Sequence, residues 1–273
     1  MNRTASISVI AAALISAASC SLKEDREPCP CWLDINLQEC GTVLDNRNGQ
    51  VQERPVREVS VAAWNDSFLF QQKVGHEDYG EPYEKAVPKS YVSTSVVTGE
   101  ERMVRDGYRL TLREDEDADE IFAHAGHVAC FREFASDTAV LHKQFARVKV
   151  KITNPVGKDY PYTFRLRGTT CGLDLRDLTP LDGNVGMDLT RGKDDIIEFN
   201  LIRQREDSLI EIDILEDGRT VETLPVHDWI ARLGYSWLAK DLQDISINID
   251  YAKGEISVSV SDWQDGGSVR IEI

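Results

Sequence analysis

The chain has 273 residues, 41% of them hydrophobic and 29% charged, with 31 basic against 47 acidic side chains and a formal charge of −16. A surface with that balance repels a phosphate backbone, which argues against nucleic acid as a partner. Beyond a short leader the length suits two domains of about 125 residues each.

Asn2 and Arg3 make a small cationic start, and residues 7–18 (ISVIAAALISAA) are apolar apart from their serines, the layout of a secretory leader. As a helix this stretch is too short for a hydrocarbon core of roughly 30 Å, which needs about 20 apolar residues. The small residues before Cys20 resemble a lipobox, although Ala17 stands where Leu is preferred. SLKED after it resembles the acidic export signal of surface-displayed Bacteroidetes lipoproteins. That resemblance implies a signal peptide over 1–19 and a covalent lipid of the palmitate type on Cys20. Several acyl chains would be needed, because one binds a membrane only marginally.

Five further cysteines follow: Cys29, Cys31, Cys40, Cys130 and Cys171. An odd number in an exported protein leaves at least one unpaired or bonded to another chain. Cys29 and Cys31 are separated only by Pro30, too close for an easy mutual bridge, so Cys40 is a candidate partner for either. A metal reading of CPC lacks a second close pair of ligands.

Strands dominate the rest. CWLDINL alternates from Cys31, with Trp32 and Leu33 on opposite faces, and NRNG at 46–49 is a turn. REVSVAAW places Val59, Val61 and Ala63 on one side, and FLFQQKV returns after NDS as a hairpin. YRLTLRE from Tyr108 is another strand. The acidic run at 113–120 puts Asp115, Asp117 and Asp119 at alternate positions, but a calcium loop would need Gly at 120 and Glu at 126, where the chain has Glu120 and Gly126. It reads as a solvated loop. EIFAHAGHVACF reads as a strand, where the offset of three sends His124 and His127 to opposite faces.

The second half alternates more sharply. ARVKVKITN turns Val148, Val150 and Ile152 inward and Arg147, Lys149 and Lys151 outward. Ile210, Ile212 and Ile214 share a face before an EDG turn and a return strand. Ile245, Ile247 and Ile249 are answered across AKG by Ile256, Val258 and Val260. Only VHDWIARLGYSWLAKDL looks helical, and it is short. Many short strands with turn signals between them predict an all-β chain with a β-sandwich in each half, 20–140 and 141–273, divided between Asp137 and Gln144. There is no G-x-S-x-G, no Walker loop and no G-x-G-x-x-G after a strand, so no enzyme is expected. Most of Trp32, Trp64, Trp229, Trp237 and Trp263 fit packing positions.

Taken together, SCSLKEDREPCPCWLDINL, ARVKVKITN, LIEIDILEDGRTV, HDWIARL and ISVSVSDWQDGGSVRIEI resemble, in order and spacing, the FimB-like fimbrial anchor lipoproteins of Bacteroidales. The resemblance covers nearly the whole mature chain, on loose alternating motifs; Cys31, Cys40, Cys130 and Cys171 depart from the expected pattern. It implies two tandem transthyretin-like β-sandwich domains, the second with one short helix, and lipid attachment to the outer membrane facing outward. It also implies a role in anchoring a fimbrium and limiting its length by strand-mediated contact with shaft subunits. No cofactor beyond the lipid on Cys20 is implied. The candidate partner-binding strand is Trp32, Leu33, Asp34, Ile35, Asn36 and Leu37, because it follows the tether directly. Related shaft subunits carry a carboxy-terminal donor extension, whereas SVRIEI follows the DGG turn at once, so the chain is expected to close the fibre. The rival expectation is a surface glycan-binding lipoprotein, which calls for an exposed row of tryptophans.

Overall fold

The computed structural model describes residues 29–47, 50–153, 162–250, 255–260 and 268–272. The leader, Cys20 and Trp263 lie outside them. Among the described residues the chain is all-β apart from one α-helix and short 3-10 turns. The first half runs β1 (Cys31–Asn36), β2 (Thr42–Arg47), β3 (Gln50–Pro55), β4 (Glu58–Trp64), β5 (Phe68–Gly75), β6 (Tyr83–Val87), β7 (Tyr91–Thr98), β8 (Val104–Asp106), β9 (Arg109–Thr111), β10 (Phe122–Ala129), β11 (Phe134–Thr138) and β12 (His142–Lys143). The second runs β13 (Phe145–Thr153), β14 (Tyr162–Asp174), β15 (Thr179–Leu189), β16 (Ile196–Ile202), β17 (Ile210–Glu216), β18 (Arg219–Leu224), α1 (Val226–Arg232), β19 (Ile245–Asp250), β20 (Glu255–Val260) and β21 (Ser268–Glu272).

A three-stranded sheet, β11-β1-β6, packs on a five-stranded sheet, β12-β10-β7-β4-β5. Leu33 and Ile35 from one and Val61, Val96 and Phe122 from the other fill the core between them. Each such buried side chain contributes about 1.5–3 kcal/mol over its exposed state. The second sandwich sets β16-β13-β19-β20-β21 against β18-β17-β14-β9-β8, with β15 also on β14. Its core takes Val148, Val150 and Ile152 from β13, Ile210, Ile212 and Ile214 from β17, and Trp229 and Ile230 from α1. Both sandwiches begin alike: β1 and β13 each lie between one antiparallel neighbour and one parallel neighbour from later in the chain.

Local chemistry sets the hairpins. Asp217 and Gly218, at φ 49° and 75°, form the two-residue loop between β17 and β18, as the right-handed twist of a tight hairpin favours. Asn65 Oδ1 accepts the Ser67 N–H at 2.8 Å and closes the β4–β5 turn. β19 and β20 pair with Ile245, Ile247 and Ile249 opposite Val260, Val258 and Ile256, as the sequence leads one to expect. α1 covers only seven residues, and Gly234 at φ 69° follows its end.

Two expectations need correction. YRLTLRE yields only the three-residue β9, and the β8–β9 hairpin leaves its own half to pair with β14 in the second sandwich. Gly172 permits this approach, since a Cβ there would sit 2.1 Å from Leu110 O. The hairpin also helps bury the outer face of β4 in a third apolar cluster, where Ala62, Trp64 and Val97 meet Leu110, Leu173 and Ile202. For that reason β4 is buried on both faces from Val59 to Trp64, not on one.

Candidate tether root and docking face

Cys29 and Pro30, both exposed, lead directly into β1. Leu33, Ile35 and Leu37 are fully buried, Asp34 and Asn36 half-buried, and Trp32 exposed. β1 pairs over Cys31–Ile35 with β6 on one side and over Trp32–Asn36 with β11 on the other. The candidate partner strand therefore offers no free edge in this state, and docking on it would require β6 or β11 to leave.

A free edge exists elsewhere in the same sandwich. β5 ends the five-stranded sheet, and its eight residues pair only with β4 among the described residues. Phe68 is exposed on it, Leu69 and Phe70 are half-buried, and Gln71, Gln72 and Lys73 face solvent. An unpaired edge of that length is a template for another strand. The edge of β16 is less open: Asn200 O accepts Ala118 N–H, Asn200 N–H donates to Asp117, and Ile196 O accepts Gly192 N–H.

Aromatic side chains gather near the start of β1. Tyr91 and Phe131, both exposed, meet edge to face at 5.0 Å. Trp32 lies opposite Phe134 in the β1–β11 register, and both are exposed. The other described tryptophans, Trp64, Trp229 and Trp237, are buried, so the described residues present this mixed patch and not a row of tryptophans.

Polar groups that the sequence marked have structural partners. His124 faces Asp137 at 3.2 Å and accepts the Val140 N–H at Nδ1, so its proton sits on Nε2, directed at the carboxylate. His127 turns to the other face, 3.1 Å from Ser93. Burial acts to raise the Asp137 pKa, but hydrogen bonds from His124 and Thr94 outweigh it and hold the group below the ordinary carboxylate value. Asp117 and Asp119 correct the solvated-loop reading. Asp119 accepts the backbone N–H of Arg102 and Met103 and pairs with the Arg102 guanidinium at 2.6 Å, because this loop must satisfy backbone donors that no strand pairs. Asp115 remains well exposed, as do its neighbours Arg113 and Glu114.

An ion network unseen in the sequence fastens the β2–β3 hairpin to β12 and β13. Arg147, read as outward, is largely covered and bonds Asp45 at 2.6 Å and Glu120 at 2.8 Å. Lys143, 1% exposed, reaches Asp244 at 2.6 Å and Asn46 O at 3.1 Å. Arg54 closes the set on Asp45 and Glu120. Burial acts to raise the Asp45 pKa, yet Arg147, Arg54 and Lys143 together hold it down at about 2. A cleft of about 400 Å3 in the second sandwich has Leu112, Met187, Leu201 and Ile210 on its walls, with Arg165 and Arg167 among its polar groups.

Cys29, Cys31, Cys40, Cys130 and Cys171 are all unbonded thiols here. Cys40 sits beyond the far end of β1, with Sγ 3.5 Å from Ala139 O. Burial first, then Glu39 and Asp137, push its thiol up to about 12.

No protein-family model matches the sequence, and no curated protein matches it. Solved structures do. A candidate polysaccharide-binding protein of Bacteroides thetaiotaomicron superposes with a TM-score of 0.56 at 13% identity, over 88% of this chain and 98% of that one. The fimbrial anchor protein Mfa2 of Porphyromonas gingivalis gives 0.54 at 12% identity, over 81% and 91%. A candidate adhesin of B. thetaiotaomicron gives 0.53 at 13%, over 90% and 100%. The chain shares their fold. At these identities the likeness extends to architecture, and both sandwiches fall within it.

Proposed function

We propose that this chain is a fimbrial anchor: an outer-membrane lipoprotein, held by lipid on Cys20 and facing outward, that retains a fimbrium and limits its length. The observation that carries this reading is the division of labour in the first sandwich, where the strand beside the tether is locked between two neighbours while β5 keeps an open edge. A pull on the amino end would load both ladders of β1 along their length, so many hydrogen bonds would have to yield together. The open edge can accept a strand from a shaft subunit through main-chain hydrogen bonds. In this reading the strand-mediated contact falls on β5, residues 20–140 carry tethering and docking, and 141–273 form the second sandwich. The fold shared with an anchor protein supports the reading. Among the described residues no helix is long and apolar enough to cross a membrane. The test is affinity isolation of the tagged chain from sheared cells: shaft subunits should co-purify, and their absence would refute the assignment.

One observation favours a second reading, a surface glycan-binding protein. The exposed Trp32, Tyr91, Phe131 and Phe134 offer ring faces of the kind that stack on sugars. Affinity electrophoresis in polysaccharide gels distinguishes the two: retardation lost in a Trp32→Ala, Tyr91→Ala variant would favour the glycan, unchanged migration the anchor.

A further inference from the structure

Two buried thiols, separated in sequence by most of the first sandwich, meet at the root of β1. Cys31 opens β1 opposite Val87, the last residue of β6. Cys130 follows directly on β10, whose Ala129 lies opposite Tyr91, the first residue of β7, and its backbone N–H donates to Ser90 O at 2.9 Å. The two cysteines thus flank one short connection, residues 88–90, from the two facing sheets. Both are fully buried in the same apolar core, where the nearby Cys31 acts to raise the Cys130 pKa.

Among the described residues no other cysteine competes for Cys31. Cys40 stands past the opposite end of β1, where Ala139 N–H bonds Asn36 O. At about 3.3 Å per residue the strand separates the two by roughly 16 Å, against a limit of about 7 Å between bridged Cα atoms. Cys29 is exposed beyond Pro30, and Cys171 belongs to β14.

We propose that Cys31 and Cys130 form a disulfide in the oxidised protein, closing the first sandwich covalently where the tether enters. The compartment for this bond rests on the exported reading above. Each thiol gives up its hydrogen as the S–S bond forms. The two electrons and two protons pass to a disulfide reagent, glutathione disulfide or an oxidoreductase disulfide, whose own S–S bond breaks to leave two thiols. In the folded chain burial, and then Cys31 itself, push the Cys130 thiol up to about 12, so the thiolate attack belongs to the stage before the core closes. The finished bond is then sheltered from reductants. It encloses about 100 residues of chain, a loop long enough to restrain the unfolded state strongly. It also passes a pull on Pro30 straight to β10 in the five-stranded sheet, and not through β1 alone.

The experiment is a non-reducing peptide map. The purified mature chain is folded in a glutathione redox buffer, alkylated with N-ethylmaleimide during denaturation, and cut with trypsin. Cys31 falls in peptide 27–47 with Cys29 and Cys40, and Cys130 falls alone in 114–132, so fragmentation of the linked pair locates the bond. The expected result is 27–47 joined through Cys31 to 114–132, with Cys29, Cys40 and Cys171 alkylated. Cys31→Ser should abolish the link and lower Tm by roughly 5–15 °C, matching reduced wild type. Alkylation of both Cys31 and Cys130 after oxidative folding, or a bond from Cys31 to Cys29 or Cys40, would overturn the proposal. The wild-type map decides the matter even if the variant fails to fold. A parallel map of protein from the cell envelope separates the two readings: a bond formed in vitro with free thiols in cells upholds the pairing and counts against export.

Discussion

Arg147 shows how a single side chain on an alternating strand acquires a role that its own strand does not reveal. The alternation of ARVKVKITN correctly turns Val148, Val150 and Ile152 into the core and sends Arg147 to the other face. What alternation cannot show is that the β2–β3 hairpin, a hundred residues earlier, covers that face and brings Asp45 with it. Removing the guanidinium leaves Asp45 and Glu120 short of a cation in a covered site, so Arg147→Ala should cost about 3 kcal/mol in urea unfolding. The same site fixes an acid dependence. Asp45 has a folded pKa of about 2, below its ordinary 3.8, so its contribution is complete above about pH 4 and is lost as pH falls towards 2. That difference is worth about 2.5 kcal/mol. Asp45→Asn should flatten the stability profile measured between pH 5 and pH 2, while wild type falls steeply there. The His124–Asp137 pair was legible only in part: the strand offset put the histidines on opposite faces, but nothing near them in sequence announced that β11 would supply the carboxylate.

At the scale of elements, the hairpins with strong turn chemistry and full alternation were readable: β4–β5 across NDS, β17–β18 across EDG, and β19–β20 with its pairing. Their signals are local, because turn residues and period-two burial lie within twenty residues of one another. β8 and β9 carry three residues each, too few to show a period, and their partner β14 lies some sixty residues on. Gly172 makes that pairing sterically open. Gly172→Ala should detach the hairpin, costing about 1–3 kcal/mol and speeding amide hydrogen exchange at Leu110 and Leu112. The open edge of β5 is testable with proline. Of two successive residues on an edge strand one directs its N–H outward, so either Gln71→Pro or Gln72→Pro should leave the ladder to β4 intact. That folded variant should lose fibre retention, and normal retention by it would remove β5 from the account.

Across the whole molecule, the two sandwiches open alike, each with a first strand flanked by one parallel and one antiparallel neighbour. The sequence made the all-β architecture legible because its strands are regular. It did not make the third core legible, since that core is assembled from Trp64, Leu110, Leu173 and Ile202, which no local pattern connects. The proposed anchoring role requires the halves to move as one, and this shared cluster, with the ion network beside it, joins the sheets of the first sandwich to those of the second. The most direct test of the anchoring claim is to count and measure fimbriae by electron microscopy, on cells and in the medium, with and without this chain. Loss of the chain should release fibres into the medium and lengthen them, and restoring it should reverse both effects. Fibres of unchanged number and length still attached to cells lacking the chain would contradict the account.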